Sequence, residues 1–260
     1  MDLRLRGKKV LITGGSKGIG LAIAKEFASE GCNIALVSRS NDELINAKLV
    51  LEEEYKVQVE VLAIDLTQKD AAKALAKTFP QADVLINNAG AIPAGTIEEI
   101  DDEKWRQAWD LKIFGYINNT REFYKLMKAR GHGVVINIIG IGGERLDAGY
   151  IAGSVGNAAL IAMTKALGSV SIDSGIRILG VNPGPVSTER LEFLARKKAV
   201  VQFGDENRWA EFQKEMPLSR AAKTTEIAPT VVFLASDLCS YTSGTVINID
   251  GGITSRNAKR

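Results

Sequence analysis

Short apolar runs alternate with longer amphipathic segments along the 260-residue chain. The short runs are largely apolar, as strands buried on both faces are, and they lie at 8–12, 33–37, 58–63, 84–86, 134–138, 176–181 and 246–249. Segments with helical periodicity lie among them, at 18–29, 42–55, 69–78, 103–128, 154–170 and 226–235. The alternation predicts right-handed βαβ units in one doubly wound α/β domain spanning 1–260, with a parallel sheet of about seven strands.

One long segment, 187–220, follows neither periodicity and is expected to be irregular. It mixes aromatic and charged residues, with aromatics at Phe193, Phe203, Trp209 and Phe212. This mixture suits a lid over a pocket, or a surface subdomain that packs on its own aromatic side chains; the two alternatives are compatible. Its basic group either attracts an anionic substrate or forms a solvated helix face, and comprises Arg190, Arg196, Lys197 and Lys198.

The composition and charge of the chain argue against several classes of function. The chain is 45% hydrophobic and 25% charged, as folded globular proteins are, and its formal net charge of +2 gives no support for a nucleic-acid or membrane partner. Two distant cysteines, Cys32 and Cys239, favour free thiols in a reducing compartment. We find no signal-peptide pattern, no apolar run of roughly 18 residues and no metal-ligand spacing, so we expect a cytoplasmic protein without a metal.

A glycine-rich turn joins the first predicted strand to the first helix and reads TGGSKGIG at 13–20. The first glycine permits a tight bend, the next lets a phosphate approach the backbone, and the last lets the helix pack closely. Free N–H groups and the positive end of the helix then bind a pyrophosphate. The turn therefore predicts a dinucleotide site that includes Gly14, Ser16, Lys17, Gly18, Ile19 and Gly20.

The residues at the end of the second strand indicate which dinucleotide binds, NAD(H) or NADP(H). An acid there would bind the adenosine 2′-hydroxyl and repel a 2′-phosphate, but the strand ends in Ser38-Arg39-Ser40. Arg39 can bind a phosphate through two hydrogen bonds, and Lys17 adds a second cation. Two cations without a competing acid favour NADP(H), and the alternative is that both cations are merely solvated.

Several further motifs occur in order: Asp65-Leu66, NNAG at 87–90, NPGPVST at 182–188 and TVINIDGG at 245–252. With these motifs and the glycine turn, the chain resembles the short-chain dehydrogenase/reductase family, with its Rossmann fold, from about residue 5 to 253. The resemblance implies a small-molecule substrate and a homodimer or homotetramer. It also implies cofactor contacts from Asp65 and Leu66 at the adenine, from Asn88, Ala89 and Gly90 at the ribose, and from Pro183, Gly184 and Thr188 at the nicotinamide end.

The usual catalytic residues of this family are an Asn, a Ser, a Tyr and a Lys four residues after the Tyr. The Lys lowers the pKa of the Tyr, which would otherwise be a poor base at neutral pH. The Asn usually comes seven residues after a Trp, and Trp105 then puts Lys112 at that position. The Ser, Tyr and Lys positions fall on Gly140, Gly153 and Asn157. The chain is thus expected to be a divergent member that lacks the usual set.

Three nearby side chains are alternative catalytic candidates. Tyr150 precedes Asn157 by seven residues, a longer spacing that resembles that of bacterial enoyl-acyl-carrier reductases, and Lys112 and Asn157 look like an exchange of the usual Asn and Lys. A second alignment takes Tyr150 as the usual Tyr and places Ser154 at the Lys position, at the cost of a three-residue deletion. Each candidate also has a non-catalytic alternative: Tyr150 as a loop residue, Lys112 as a solvated or ion-paired residue, and Asn157 as a structural residue.

The leading hypothesis is an NADP(H)-dependent oxidoreductase that transfers hydride to or from a small carbonyl, alcohol or enone substrate through an atypical site. Tyr150 would be the proton donor, Lys112 the electrostatic helper and Asn157 a positioning group. The rival hypotheses are an NADP(H)-binding sensor or scaffold, and a non-redox enzyme that has kept the fold.

Overall fold

The computed structural model describes residues 2–256 and contains one parallel sheet. Its strands lie in the order β3-β2-β1-β4-β5-β6-β7. From β1 the chain adds strands toward one edge of the sheet, and from β4 it adds them toward the other, so the order reverses between β1 and β4. The strands are β1 (Lys9–Thr13), β2 (Asn33–Ser38), β3 (Val59–Ala63), β4 (Val84–Asn87), β5 (Gly133–Ile138), β6 (Ile176–Pro183) and β7 (Val246–Ile249). The predicted α/β fold with a seven-stranded parallel sheet is confirmed.

The helices cover both faces of this sheet. They are α1 (Gly18–Ser29), α2 (Asn41–Tyr55), α3 (Ala71–Thr78), α4 (Asp102–Trp109), α5 (Gly115–Arg130), α6 (Ile151–Ser171), α7 (Glu189–Phe203) and α8 (Ala228–Ala235). The continuous helix expected at 103–128 is instead α4 and α5 joined by a π-helical turn, Asp110–Phe114. The expected irregular segment 187–220 is mostly helical, since it contains α7 and a 3-10 helix at Glu206–Glu215.

Alternation along the strands divides the core between the two faces. In β1, Val10 and Ile12 pack in one apolar cluster with α1 and α8, whereas Leu11 packs in the other with α3 and α5. Successive strand residues point to opposite faces, so each strand supplies both layers. Burial on both faces explains why the strands are nearly continuous apolar runs.

Buried amides and hydroxyls tie the helices to the middle of the sheet. The Asn87 amide of β4 donates to Asn137 of β5 at 3.0 Å and to Thr120 of α5 at 3.1 Å. Asn119 donates to the Asn87 oxygen, and Asn137 donates to Thr164 of α6 at 2.9 Å. Because these polar groups are satisfied by one another, the network fixes α5 and α6 against the central strands.

Helix α6 with its following turn, Ile151–Ser174, is long and apolar enough to cross a membrane by length and composition, with an 18-residue window of mean hydropathy 1.3. The expectation that the chain has no such run is therefore wrong by this criterion. The helix buries Leu160, Ile161 and Thr164, and it packs on β6 of the sheet. Packing in the core explains part of its apolar composition, since 39% of the apolar window is buried.

Arg177 provides a test of the buried polar structure. The residue is 7% exposed, and its guanidinium donates to the carbonyls of Leu234, Ala235 and Ser236 at the end of α8. Arg177→Gln would leave these buried acceptors unpaired, so we expect it to lower the free energy of unfolding by about 3 kcal/mol. Arg106→Gln, in an exposed ion pair, should change it by less than about 0.5 kcal/mol. Similar urea midpoints for the two variants would contradict this expectation.

Candidate active site

A cleft of about 700 Å³ opens at the carboxyl edge of the sheet beside β1 and β4. This is the point where the strand order reverses, and loops from adjacent strands diverge there to leave room for a ligand. The predicted residues that line it are Gly14, Ser16, Lys17, Gly18, Ile19, Arg39, Leu66, Asn88, Ala89, Gly90 and Thr188. Other lining residues were not predicted from the sequence, among them Glu43, Leu111, Glu189 and Arg190.

The glycine turn forms the floor of the cleft. Gly14 and Gly18 have φ of +64° and +58°, a region that favours glycine. Gly20 is not a lining residue: a Cβ there would overlap the Gly14 carbonyl and approach the Asn88 amide to 2.6 Å. The Asn88 amide donates to the carbonyls of Thr13 and Gly14 at 3.0 and 3.1 Å. The turn is therefore held from below by the residue that follows β4, and the absence of a side chain at Gly20 permits that contact.

The cation-rich end of the cleft also contains an acid. Glu43 of α2 accepts hydrogen bonds from the Lys17 ammonium at 2.8 Å and from the Ser16 hydroxyl at 2.9 Å. The hydrogen bond with Lys17 lowers the pKa of Glu43 and raises that of Lys17. The expectation that no acid competes for these cations is wrong, because the first turn of α2 brings Glu43 back to the glycine turn.

Leu66 and Ile64 line the cleft wall beyond β3, but Asp65 does not. The Asp65 carboxylate accepts from the backbone N–H of Thr67 at 3.0 Å and from its hydroxyl at 2.9 Å. These hydrogen bonds, with a smaller contribution from the Arg39 charge, lower the pKa of Asp65. Asp65 thus stabilises the turn that presents its neighbours.

At the other end, Thr188 lines the cleft and caps α7 by accepting from the Leu191 N–H at 3.2 Å. Pro183 and Gly184 lie at the end of β6 outside the cleft wall. Gly184 packs against Asp250, where a Cβ would lie 2.9 Å from the Asp250 Cα. These two residues position the start of the segment that leads to Thr188.

Lys112 lies in the π-helical turn between α4 and α5. Its ammonium donates to the carbonyl of Ile139, and its stem packs against Gly90, a lining residue. Burial, with a smaller contribution from the Arg190 charge, lowers the pKa of Lys112 to about 8. Such π turns are frequent at functional sites, and this one places an amine beneath the cleft wall.

Tyr150 immediately precedes α6, and its ring lies over Gly153. A Cβ at Gly153 would overlap this ring, and a Cβ at Gly142 would lie 3.3 Å from it. Burial raises the pKa of Tyr150, and the charge of Arg190 opposes this increase. The Tyr150 ring therefore fills the space that a side chain at Gly153 would enter.

Asn157 lies buried one turn of α6 beyond Gly153. Its amide nitrogen donates to the Gly140 carbonyl at 3.4 Å, and its Oδ1 is buried without a hydrogen-bond partner in the described residues. Gly140 has a φ of +116°, which a serine would adopt only with strain. Ser154, the residue raised by the second alignment, bonds to the backbone of Asp147.

The three catalytic candidates thus converge on the loop that follows β5, although none lines the cleft directly. Lys112 binds the carbonyl of Ile139, Asn157 binds that of Gly140, and both Tyr150 and Asn157 approach Gly142. They form a cluster behind the wall that Gly90 and its neighbours build.

Arg190 connects this cluster to the cleft. It lines the cleft in the first turn of α7 and donates to the carbonyl of Ile92 at 2.7 Å, while its charge acts on both Tyr150 and Lys112. The sequence pattern assigned Arg190 to the basic group of 187–220 and not to the cofactor site. Its position two residues after Thr188 was the available signal.

The other three residues of the basic group contact aromatic rings of the same segment. Arg196 lies over Trp209, Lys197 over Phe193 and Lys198 over Phe212. Phe203 and Phe212 stack with centroids 5.5 Å apart. The segment therefore packs on its own aromatics while its first turn faces the cleft. No group of three or more metal-ligating side chains occurs in residues 2–256.

Comparison with known proteins extends over almost the whole chain. Residues 14–254 match the family described as enoyl-(acyl carrier protein) reductase. The NADPH-dependent aldehyde reductase 1, chloroplastic, of Arabidopsis thaliana is 33% identical, over 96% of this chain and 87% of that protein. The glucose and ribitol dehydrogenase of Daucus carota is 34% identical, over 96% and 86% of the two chains.

A solved structure gives a similar result. The L-sorbose reductase from Gluconobacter frateurii, complexed with NADPH and L-sorbose, has a TM-score of 0.91 and is 33% identical. The match covers 99% of this chain and 100% of that chain.

The contact at Gly20 can be tested against a matched helical glycine. Gly20→Ala would force apart the Gly14 carbonyl and the Asn88 amide, so we expect it to lower the free energy of unfolding by about 1–3 kcal/mol. A Cβ at Gly115 would lie 3.5 Å from the Asp110 carbonyl, so Gly115→Ala should be neutral or stabilising by up to about 1 kcal/mol. Urea denaturation measures both, and equal stabilities would contradict the close packing at Gly20.

Proposed function

The chain belongs to the short-chain dehydrogenase/reductase family, and we propose that it is an NADP(H)-dependent oxidoreductase acting on small carbonyl compounds and their alcohols, enones included. The observation that carries the proposal is the placement of the Tyr150 ring over Gly153, where the charge of Arg190 acts on it, with Lys112 bound to the same loop after β5. A phenol with neighbouring cations can exchange a proton with a substrate oxygen.

The cleft fits an NADP(H) molecule. The N-terminus of α1 and the left-handed glycines present backbone N–H groups to a pyrophosphate, and Ser16, Lys17 and Arg39 can donate to a 2′-phosphate. The relatives named for NADPH support the same cofactor. When bound, the nicotinamide supplies or accepts the hydride. All the cofactor contacts stay predictions, and we propose that Asp65, Pro183, Gly184 and Gly20, which do not line the cleft, act through the backbone that they support.

Tyr150 is the proposed catalytic acid and base. In reduction its hydroxyl gives a proton to the carbonyl oxygen, and in oxidation its phenolate takes the proton back from the alcohol. Burial alone would make the phenolate hard to form, since it raises the pKa of Tyr150. The site therefore needs a cation close to the ring.

Two cations are proposed for that role. Arg190 reduces the pKa of Tyr150 directly, and Lys112 adds charge when it is protonated, below a pH of about 8. Asn157 is the proposed positioning residue, since it holds the loop at Gly140 against α6. This set would replace the usual Asn-Ser-Tyr-Lys residues of the family.

Relatives support a class of substrate. They are named for reduction of aldehydes and L-sorbose and for dehydrogenation of glucose and ribitol. We therefore propose aldehydes, ketoses and polyols as the first compounds to assay, with enones as the atypical alternative. A homodimer or homotetramer, a cytoplasmic location and the lack of nucleic-acid or membrane partners stay predictions from the sequence.

Tyr150→Phe tests the proposed acid. Removing the hydroxyl should lower kcat for carbonyl reduction by about 100-fold or more, while NADPH affinity measured by fluorescence titration stays the same. Tyr241→Phe is the control, because Tyr241 is 97% exposed. Full activity of the Tyr150 variant would overturn its assignment. NADPH binding without turnover of any aldehyde, ketose, polyol or enone by the unaltered protein would favour a sensor.

Arg190→Met tests the proposed cation. Without this charge the Tyr150 phenolate is less stable, so its pKa rises. We expect the rising limb of the pH profile of alcohol oxidation to move to higher pH by about one unit. Arg190→Lys keeps a positive charge and should restore much of the original profile. An unshifted profile for Arg190→Met would show that Arg190 does not act on the titrating group.

A further inference from the structure

We propose that Glu43 sets the affinity of the cleft for a 2′-phosphate, because its carboxylate takes the same donors that the phosphate would use. The inference rests on the proposed function and identifies a specificity-determining residue for it. Ser16 and Lys17 each donate to a different oxygen of this carboxylate, at 2.9 and 2.8 Å. Two donors that bind two oxygens of one anion can bind two oxygens of a phosphate in the same way.

The position of Glu43 follows from the start of α2. Ser40 caps this helix by accepting from the Glu43 N–H at 3.3 Å, which fixes Glu43 in the first helical turn. Ser38, Arg39 and Ser40 line the same end of the cleft. Glu43 is therefore held by the backbone beside the strand end where the identity of the dinucleotide is determined.

The contact is weak enough to be exchanged. The side chains of Lys17 and Glu43 are 62% and 42% exposed, and ion pairs with such exposure contribute little to stability. A phosphate can therefore displace the carboxylate from Ser16 and Lys17 without unfolding the turn. The displaced carboxylate stays on the same helical turn and repels the phosphate.

The charges around the phosphate donors support competition. Lys17 and Arg39 bring two positive charges, whereas Glu43 and Glu189 line the same cleft and bring two negative charges. Glu189 also raises the pKa of Lys17, which places its charge within range of the ammonium. Removing the Glu43 charge leaves the two cations in excess for an incoming phosphate.

Calorimetric titration with two cofactor fragments isolates this effect. Adenosine 2′,5′-bisphosphate carries the 2′-phosphate, and adenosine 5′-monophosphate lacks it. Glu43→Gln keeps an oxygen that can accept from Ser16 and Lys17 but removes the charge. We expect it to bind the bisphosphate about fivefold to twentyfold more tightly at low salt, with a smaller gain at high salt. Binding of the monophosphate should not change.

Glu53→Gln is the matched control, since Glu53 is an exposed acid on the same helix. It should leave both affinities as they are. Unchanged or weaker binding of the bisphosphate by Glu43→Gln would overturn the inference, and weaker binding would show that Glu43 organises its donors. Loss of monophosphate binding would overturn it too, because it would make Glu43 a ligand of the ribose hydroxyl. If the unaltered protein binds neither NADPH nor the bisphosphate, the proposed function itself fails.

Discussion

The hydrogen bonds between Thr13 and Asn88 join the ends of β1 and β4, the two neighbouring strands between which the strand order reverses. The Thr13 hydroxyl donates to the Ile86 carbonyl and accepts from the N–H groups of Asn88 and Ala89, while the Asn88 amide returns to the carbonyls of Thr13 and Gly14. Parallel strands on either side send their helices to opposite faces, which opens a crevice at this point. The paired loops form its floor, and the geometry of the cleft depends on them.

The features that could be predicted from the sequence are those that local sterics and burial dictate. Strands buried on both faces must be apolar, and the turn at Gly14 and Gly18 must adopt φ values that favour glycine, so both leave a signature in the residues. Glu43 leaves no such signature. The choice between NAD(H) and NADP(H) was predicted from the residues at the strand end, near Arg39. Glu43 lies farther along the chain and reaches the cleft only because the first turn of α2 brings it back to the glycine turn.

Helix α7 and the π turn escaped prediction for a different reason. A helix is recognised by an apolar stripe, but α7 buries only Ala199 and is stabilised by contacts of basic side chains with rings such as Trp209. The π turn is a single local turn between two helices, and periodicity alone predicted one continuous helix there, so only the structure shows that Lys112 lies within it. The same limit explains why Arg190 was assigned to a charged group and not to the site.

The cations near the two ends of the cleft have different hydrogen-bond partners. Lys17 is compensated by Glu43, whereas Lys112 and Arg190 each donate to a backbone carbonyl and form no ion pair within the described residues. A carbonyl satisfies a donor without cancelling its charge, so these two cations remain available to a phenolate or alkoxide. Lys112 loses its charge above a pH of about 8, but a guanidinium does not. Arg190 therefore keeps its charge at this end, and in the proposed site it is the residue that would take the role of the family's usual lysine.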